Sequence, residues 1–71
     1  MHVRDPEGVV DYLESNRGWL LRYGLRRIPE PALVEDAMQD LGRWALVGVS
    51  HGREFNLNYM GMMYRSFLRN A

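Results

Sequence analysis

Residues 48 to 52 read Gly48-Val49-Ser50-His51-Gly52, and Ala45-Leu46-Val47-Gly48-Val49 before Ser50 has the composition of a strand. Hydrolases use this Gly-x-Ser-x-Gly spacing to expose a nucleophilic serine on a strained strand-to-helix turn of a large sheet, with an acid and then a histidine later in the chain. Glu54 is the only acid after Ser50, and the last histidine, His51, is its immediate neighbour. Adjacent side chains rarely reach the geometry of nucleophile and base. No catalytic residue is therefore assigned, and the chain is expected not to be an enzyme. His2 and His51 are the only histidines and there is no cysteine. A metal site would need carboxylates gathered from elsewhere, so neither a metal nor a cofactor is expected.

The remaining chemistry belongs to arginine. All nine basic residues are Arg, matched by nine acids for a formal net charge of +0. That balance removes a blanket attraction to nucleic acid, so any such contact must come from a local patch. Charge is divided along the chain: residues 1 to 40 hold eight acids and five Arg, whereas residues 41 to 71 hold four Arg and only Glu54. Arg22, Arg26 and Arg27 form one cluster. They suit the carbonyl end of a helix, and from there they can pair with the acids after Pro31 or meet a phosphate or an acidic partner. Arg53, Arg65 and Arg69 interleave with Phe55, Tyr59, Tyr64 and Phe67, a mixture found where single-stranded bases stack beside a charged groove. Arg53, Tyr59, Arg65 and Arg69 are the candidate contacts to nucleic acid or an acidic surface, although most aromatics at helical spacing are core.

Three helices are expected to position these groups. At 71 residues and 46% hydrophobic content the chain has the size and composition of one folded domain. Asp5 is a good N-cap, Pro6 suits the first helical position, and Val9, Tyr12, Leu13, Leu20 and Tyr23 follow helical spacing, which predicts a helix over about 6–26. Pro29 and Pro31 impose a corner. Leu33, Val34, Ala37, Met38, Leu41, Trp44 and Ala45 then form one face of a helix over 31–47, with Glu35, Asp36, Gln39, Asp40 and Arg43 opposite. The glycines of residues 48–53 suggest a loop. Asn56 or Asn58 caps a third helix over 57–69, whose apolar face is Leu57, Met60, Met63, Tyr64, Phe67 and Leu68. The expected fold is an all-α, small three-helix bundle in a single domain, 1–71. No apolar run approaches a membrane span and the N-terminus lacks the apolar core of a signal peptide, so a cytoplasmic setting without membrane contact is expected.

The stretch from Asn16 to Asp40, with its Arg-rich helix, the Ile28-Pro29-Glu30-Pro31 turn and then Ala32-Leu33-Val34-Glu35-Asp36-Ala37-Met38-Gln39-Asp40, resembles region 2 of extracytoplasmic-function sigma factors. Pro31, Glu35, Asp36 and Gln39 fall in register with that family's pattern. The ending Tyr64-Arg65-Ser66-Phe67-Leu68-Arg69-Asn70-Ala71 resembles the family's Trp-Leu-x-x-Ile-Ala-Arg-Asn helix, and the two stretches cover about half the chain. The resemblance implies that the helix bearing Glu35, Asp36, Gln39 and Asp40 docks on the clamp helices of RNA polymerase, while the last helix and the loop before it face a promoter strand.

The functional expectation is a small interaction protein, with room for one docking module, that binds and modulates RNA polymerase or another nucleic-acid-handling complex. Its partner-binding residues would be Glu35, Asp36, Gln39, Asp40 and Arg43. A phage-encoded inhibitor of a host protein complex, of the anti-CRISPR kind and acting by steric blocking, is the alternative. Two Trp, four Tyr and five Met in so short a chain also leave apolar surface for a homodimer.

Overall fold

The Asp5-Pro6 start works as its chemistry requires. In the computed structural model, which describes residues 2–70, Asp5 Oδ1 accepts from the Gly8 amide at 2.7 Å, and Pro6 opens α1 (Pro6–Arg27). Ile28 leaves the helix in extended conformation, as the residue before Pro29 must. α2 (Pro31–Ser50) starts two residues after Pro29, its first amide bonds running from Leu33 and Val34 to the Glu30 carbonyl.

α2 continues through Ser50, three residues past the expected end at Val47, so Gly48 to Ser50 are helix and not loop. Packing is the physical reason. A Cβ on Gly48 would lie 2.3 Å from Cζ of Phe55, so the glycine lets an aromatic ring lie on the helix backbone. That contact offsets the roughly 1 kcal/mol a mid-helix glycine costs. Gly52, at φ 81°, is the residue that ends α2. The Gly52 amide bonds the Val49 carbonyl at 3.0 Å and the Arg53 amide the Gly48 carbonyl at 2.9 Å. This pair of bonds around a left-handed glycine is the Schellman termination.

Two short strands, β1 (His2–Val3) and β2 (Phe55–Asn56), pair antiparallel with His2 opposite Asn56 and Val3 opposite Phe55. This ribbon has no counterpart in the sequence reading. Glu54 clips it with contacts to His2 Nδ1 at 3.2 Å and Arg4 Nε at 3.3 Å. Asn56 then caps α3 (Leu57–Arg69), its Oδ1 accepting from the Tyr59 amide at 2.6 Å.

The three helices form a small all-α bundle. Its core joins Val9, Tyr12 and Leu20 of α1, Val34, Leu41 and Ala45 of α2, Met60, Tyr64 and Leu68 of α3, and Val3 and Phe55 of the ribbon. Each fully buried aliphatic side chain contributes about 1.5–3 kcal/mol. Met60 is fully buried, Met63 half-buried and Met62 exposed, so one face of α3 meets the core. The tightest helix–helix junction is at Gly24. A Cβ there would lie 2.4 Å from Val34 and 2.7 Å from the Tyr64 hydroxyl, and that hydroxyl donates across the core to the Leu20 carbonyl. Burial, with Tyr23 nearby, pushes the Tyr64 hydroxyl pKa up to about 12.

Candidate functional site

α1 and α2 run antiparallel, with Gly24 near Val34 and Leu13 near Gly42. Gly42 sets the depth of the surface between them, because any side chain there would lift Leu13, whose Cδ1 stands 2.9 Å from the position of a Cβ. The result is a groove of about 580 Å³ whose floor is Leu13, Met38, Gly42 and Leu46. Its rim is Glu14 and Arg17 on α1 and Glu35, Gln39 and Arg43 on α2. Arg17 Nη2 bridges to Glu35 Oε1 at 3.8 Å across one end. Both groups are more than half exposed, so this pair tethers the helices only weakly.

All five expected partner-binding residues, Glu35, Asp36, Gln39, Asp40 and Arg43, are exposed on α2. Glu35, Gln39 and Arg43 line the groove, while Asp36 and Asp40 stand on α2 outside its lining. Leu46 lines it as well, and Val47 and Val10, 54% and 45% exposed, add apolar surface at the same end of the α1–α2 pair. An apolar floor between charged rims can take the apolar face of a helix and orient it by ion pairs. Leu13, Glu14 and Arg17 are the half of this site that sequence reasoning missed. Their signal is a second polar–apolar stripe on α1.

Arg53, Tyr59, Arg65 and Arg69 are not brought onto one face. Arg53 is exposed in the turn after α2. Tyr59 stacks on Phe55 with ring planes 3° apart and centroids 6.3 Å apart, and also meets Trp44. At 1.5 Å per residue, Arg69 lies about 15 Å farther along the α3 axis than Tyr59. Arg65 and Arg69 instead join Tyr23, Arg27, Ile28 and Leu68 around a cleft of about 500 Å³ where α1 and α3 end together.

Comparison with protein-family models, curated proteins and solved structures gives no match. The geometry of the chain itself carries the functional reading.

Of the α1 arginines, Arg17 is the one that reaches an acid beyond the corner. Among the described residues, Arg22, Arg26 and Arg27 form no ion pair with the acids after Pro31, so of the two roles open to them the pairing across the corner is not made. Helical phase explains this, since ten residues past Arg17 the α1 surface has turned by about 80°, and Arg27 faces the cleft beside α3. Ser50 is the last residue of α2 and its hydroxyl donates to the Val47 carbonyl at 2.7 Å. His51 Nδ1 lies 2.8 Å from the same carbonyl oxygen, which only accepts, so Nδ1 carries the proton there. The imidazole nitrogen nearest Ser50 Oγ, at 3.5 Å, is therefore not a base toward it. Among the described residues no group of three or more His, Cys, Asp or Glu is placed to hold a metal. Among the described residues no helix is long and apolar enough to cross a membrane.

Proposed function

We propose that this chain is a non-enzymatic docking module that seats an amphipathic helix of a partner protein in the α1–α2 groove. The observation that carries the reading is the groove itself, with Leu13, Met38 and Leu46 between the rims Glu14–Arg17 and Glu35–Gln39–Arg43. An occupant helix buries its i, i+3/i+4 and i+7 apolar residues on that floor and offers both signs of charge to the rims. Asp36 and Asp40 extend the α2 rim as an acidic border that favours a partner with a basic flank.

The likeness of Asn16–Asp40 to sigma-factor region 2 makes the clamp helices of RNA polymerase the first partner to test, with docking that competes with or modulates other polymerase-bound factors. A pull-down of RNA polymerase core enzyme with the wild-type protein and with the Glu35→Arg, Asp36→Arg double variant tests the reading. Retention by the wild type and loss by the double variant is the expected result. Failure of the wild type to retain polymerase rejects that partner, and undiminished retention by the double variant rejects the groove. A second copy of the chain is the competing occupant. Sedimentation that reveals a dimer dissociated by Leu46→Glu would assign the groove to self-association instead.

A further inference from the structure

We infer that the cleft between the ends of α1 and α3 is a binding site for a phosphate monoester, held by Arg27, Arg65 and Arg69 with the Tyr23 side chain. Three arginines from two helices line one cleft of about 500 Å³, and no acid lines it with them. Among the described residues none of the three forms an ion pair with a carboxylate; the arginine–carboxylate pairs there are Arg4–Glu54 and Arg17–Glu35. Helix dipoles account for the cations in the last turns, Arg26 and Arg27 of α1 and Arg69 of α3. They do not account for Arg65, a turn earlier, converging on the same cleft.

Tyr23 holds the arrangement. The Arg27 guanidinium carbon lies 4.7 Å and that of Arg65 5.6 Å from its ring centroid, so a single aromatic ring gathers two cations. The Tyr23 hydroxyl oxygen is buried without a hydrogen-bond partner, an arrangement that is costly unless a ligand or solvent completes it. Three like charges with no acid among them form a site whose electrostatics a dianion would complete. Guanidiniums present paired N–H donors that fit tetrahedral oxyanions. A phosphate monoester offers three terminal oxygens and nearly two negative charges. A carboxylate or a strand phosphodiester offers two free oxygens and one charge, which leaves one arginine unmatched. The cleft volume lies in the range of small-ligand sites, and Ile28 and Leu68 give an apolar wall for the organic part. The groove between α1 and α2 shares none of these residues, so the two sites stand or fall separately.

Titration of the 15N-labelled protein with inorganic phosphate, adenosine 5′-monophosphate and acetate, read by amide chemical shifts at 0.1 M salt, tests the site. Phosphate and the monophosphate should saturate with shifts confined to residues 23–28 and 65–70, and acetate should not. Arg65→Ala should weaken monophosphate binding at least about tenfold, equivalent to 1.4 kcal/mol, while Arg4→Ala, outside both the cleft and the groove, leaves it unchanged. Both arginines are exposed, and melting curves of the two variants verify that each is folded. Equal loss in the two variants, or acetate binding as well as phosphate, would overturn the proposal. So would an oligonucleotide lacking terminal phosphate that binds more tightly than the monophosphate, since that result assigns the arginines to a strand.

Discussion

Replacing Gly24 with alanine isolates the junction on which all three helices depend. Alanine by itself favours a helix interior by about 0.8–1 kcal/mol over glycine, so propensity alone predicts stabilisation. The structure reverses the sign. The new methyl would sit 2.4 Å from Cγ1 of Val34 and 2.7 Å from the Tyr64 hydroxyl, both far inside van der Waals contact. Both neighbours are fully buried, so relief requires α2 and α3 to move away from α1. Overpacking of this kind costs about 1–3 kcal/mol. Displacing Tyr64 from the Leu20 carbonyl removes a hydrogen bond worth about 0.5–1.5 kcal/mol and leaves a buried donor unpaired. The net expectation is a loss of about 2 kcal/mol, which for a domain of this size lowers Tm by about 8–16 °C. Gly61→Ala is the matched control, because nothing lies within 4 Å of a Cβ there and the same substitution should raise stability by about 0.4–1 kcal/mol. Calorimetry and urea denaturation of both variants give the comparison. Gly24→Ala melting at or above the wild type would refute the close-approach argument and with it the helix arrangement.

Three further outcomes follow from the packing and the helix ends. Burial first, and Tyr23 second, raise the Tyr64 pKa to about 12 from the usual value near 10. The unfolded chain therefore ionises first as pH rises, so stability is intact below about pH 10 and falls between about 10 and 12. Burial of Tyr12 acts in the same direction. Tyr64→Phe should flatten most of that slope in urea midpoints from pH 8 to 12, and a wild-type midpoint that stays level would contradict the buried hydroxyl. Asn56→Ala should cost about 1 kcal/mol through loss of the α3 cap, whereas Asn58→Ala should be nearly silent in the same melts; equal effects would disprove the cap assignment. Gly52→Ala, which forces a Cβ into left-handed backbone, should destabilise by about 1 kcal/mol or more, and an unchanged midpoint would contradict the Schellman ending.

Three helices and their starts were legible because each rests on local chemistry. Asp5-Pro6 marks α1, the proline corner separates α1 from α2, and the apolar spacing of α2 and α3 is regular enough to reveal their buried faces. The far end of α2 was not legible. Gly48 and Gly52 look alike in sequence, yet one is helical because Phe55 packs on it and the other ends the helix at positive φ. Only the later chain, returning as β2 with Phe55, distinguishes them. The candidate sites divide in the same way. Glu35, Gln39 and Arg43 are visible as a polar stripe on one helix, but their α1 counterparts Leu13, Glu14 and Arg17 enter through the antiparallel register set at Gly42. Arg65 and Arg69 form a local i, i+4 pair. What brings Arg27 and Tyr23 to them is the coincidence of two helix ends, a tertiary fact with no sequence period.

The docking account is tested most directly by placing a photo-crosslinking residue at Gln39, on the groove rim, and separately at Asn58, exposed on α3, and irradiating each protein with RNA polymerase core enzyme. The account predicts a crosslink from position 39 into a helical segment of the polymerase clamp and none from position 58. Crosslinking from position 58 with none from position 39 would contradict it.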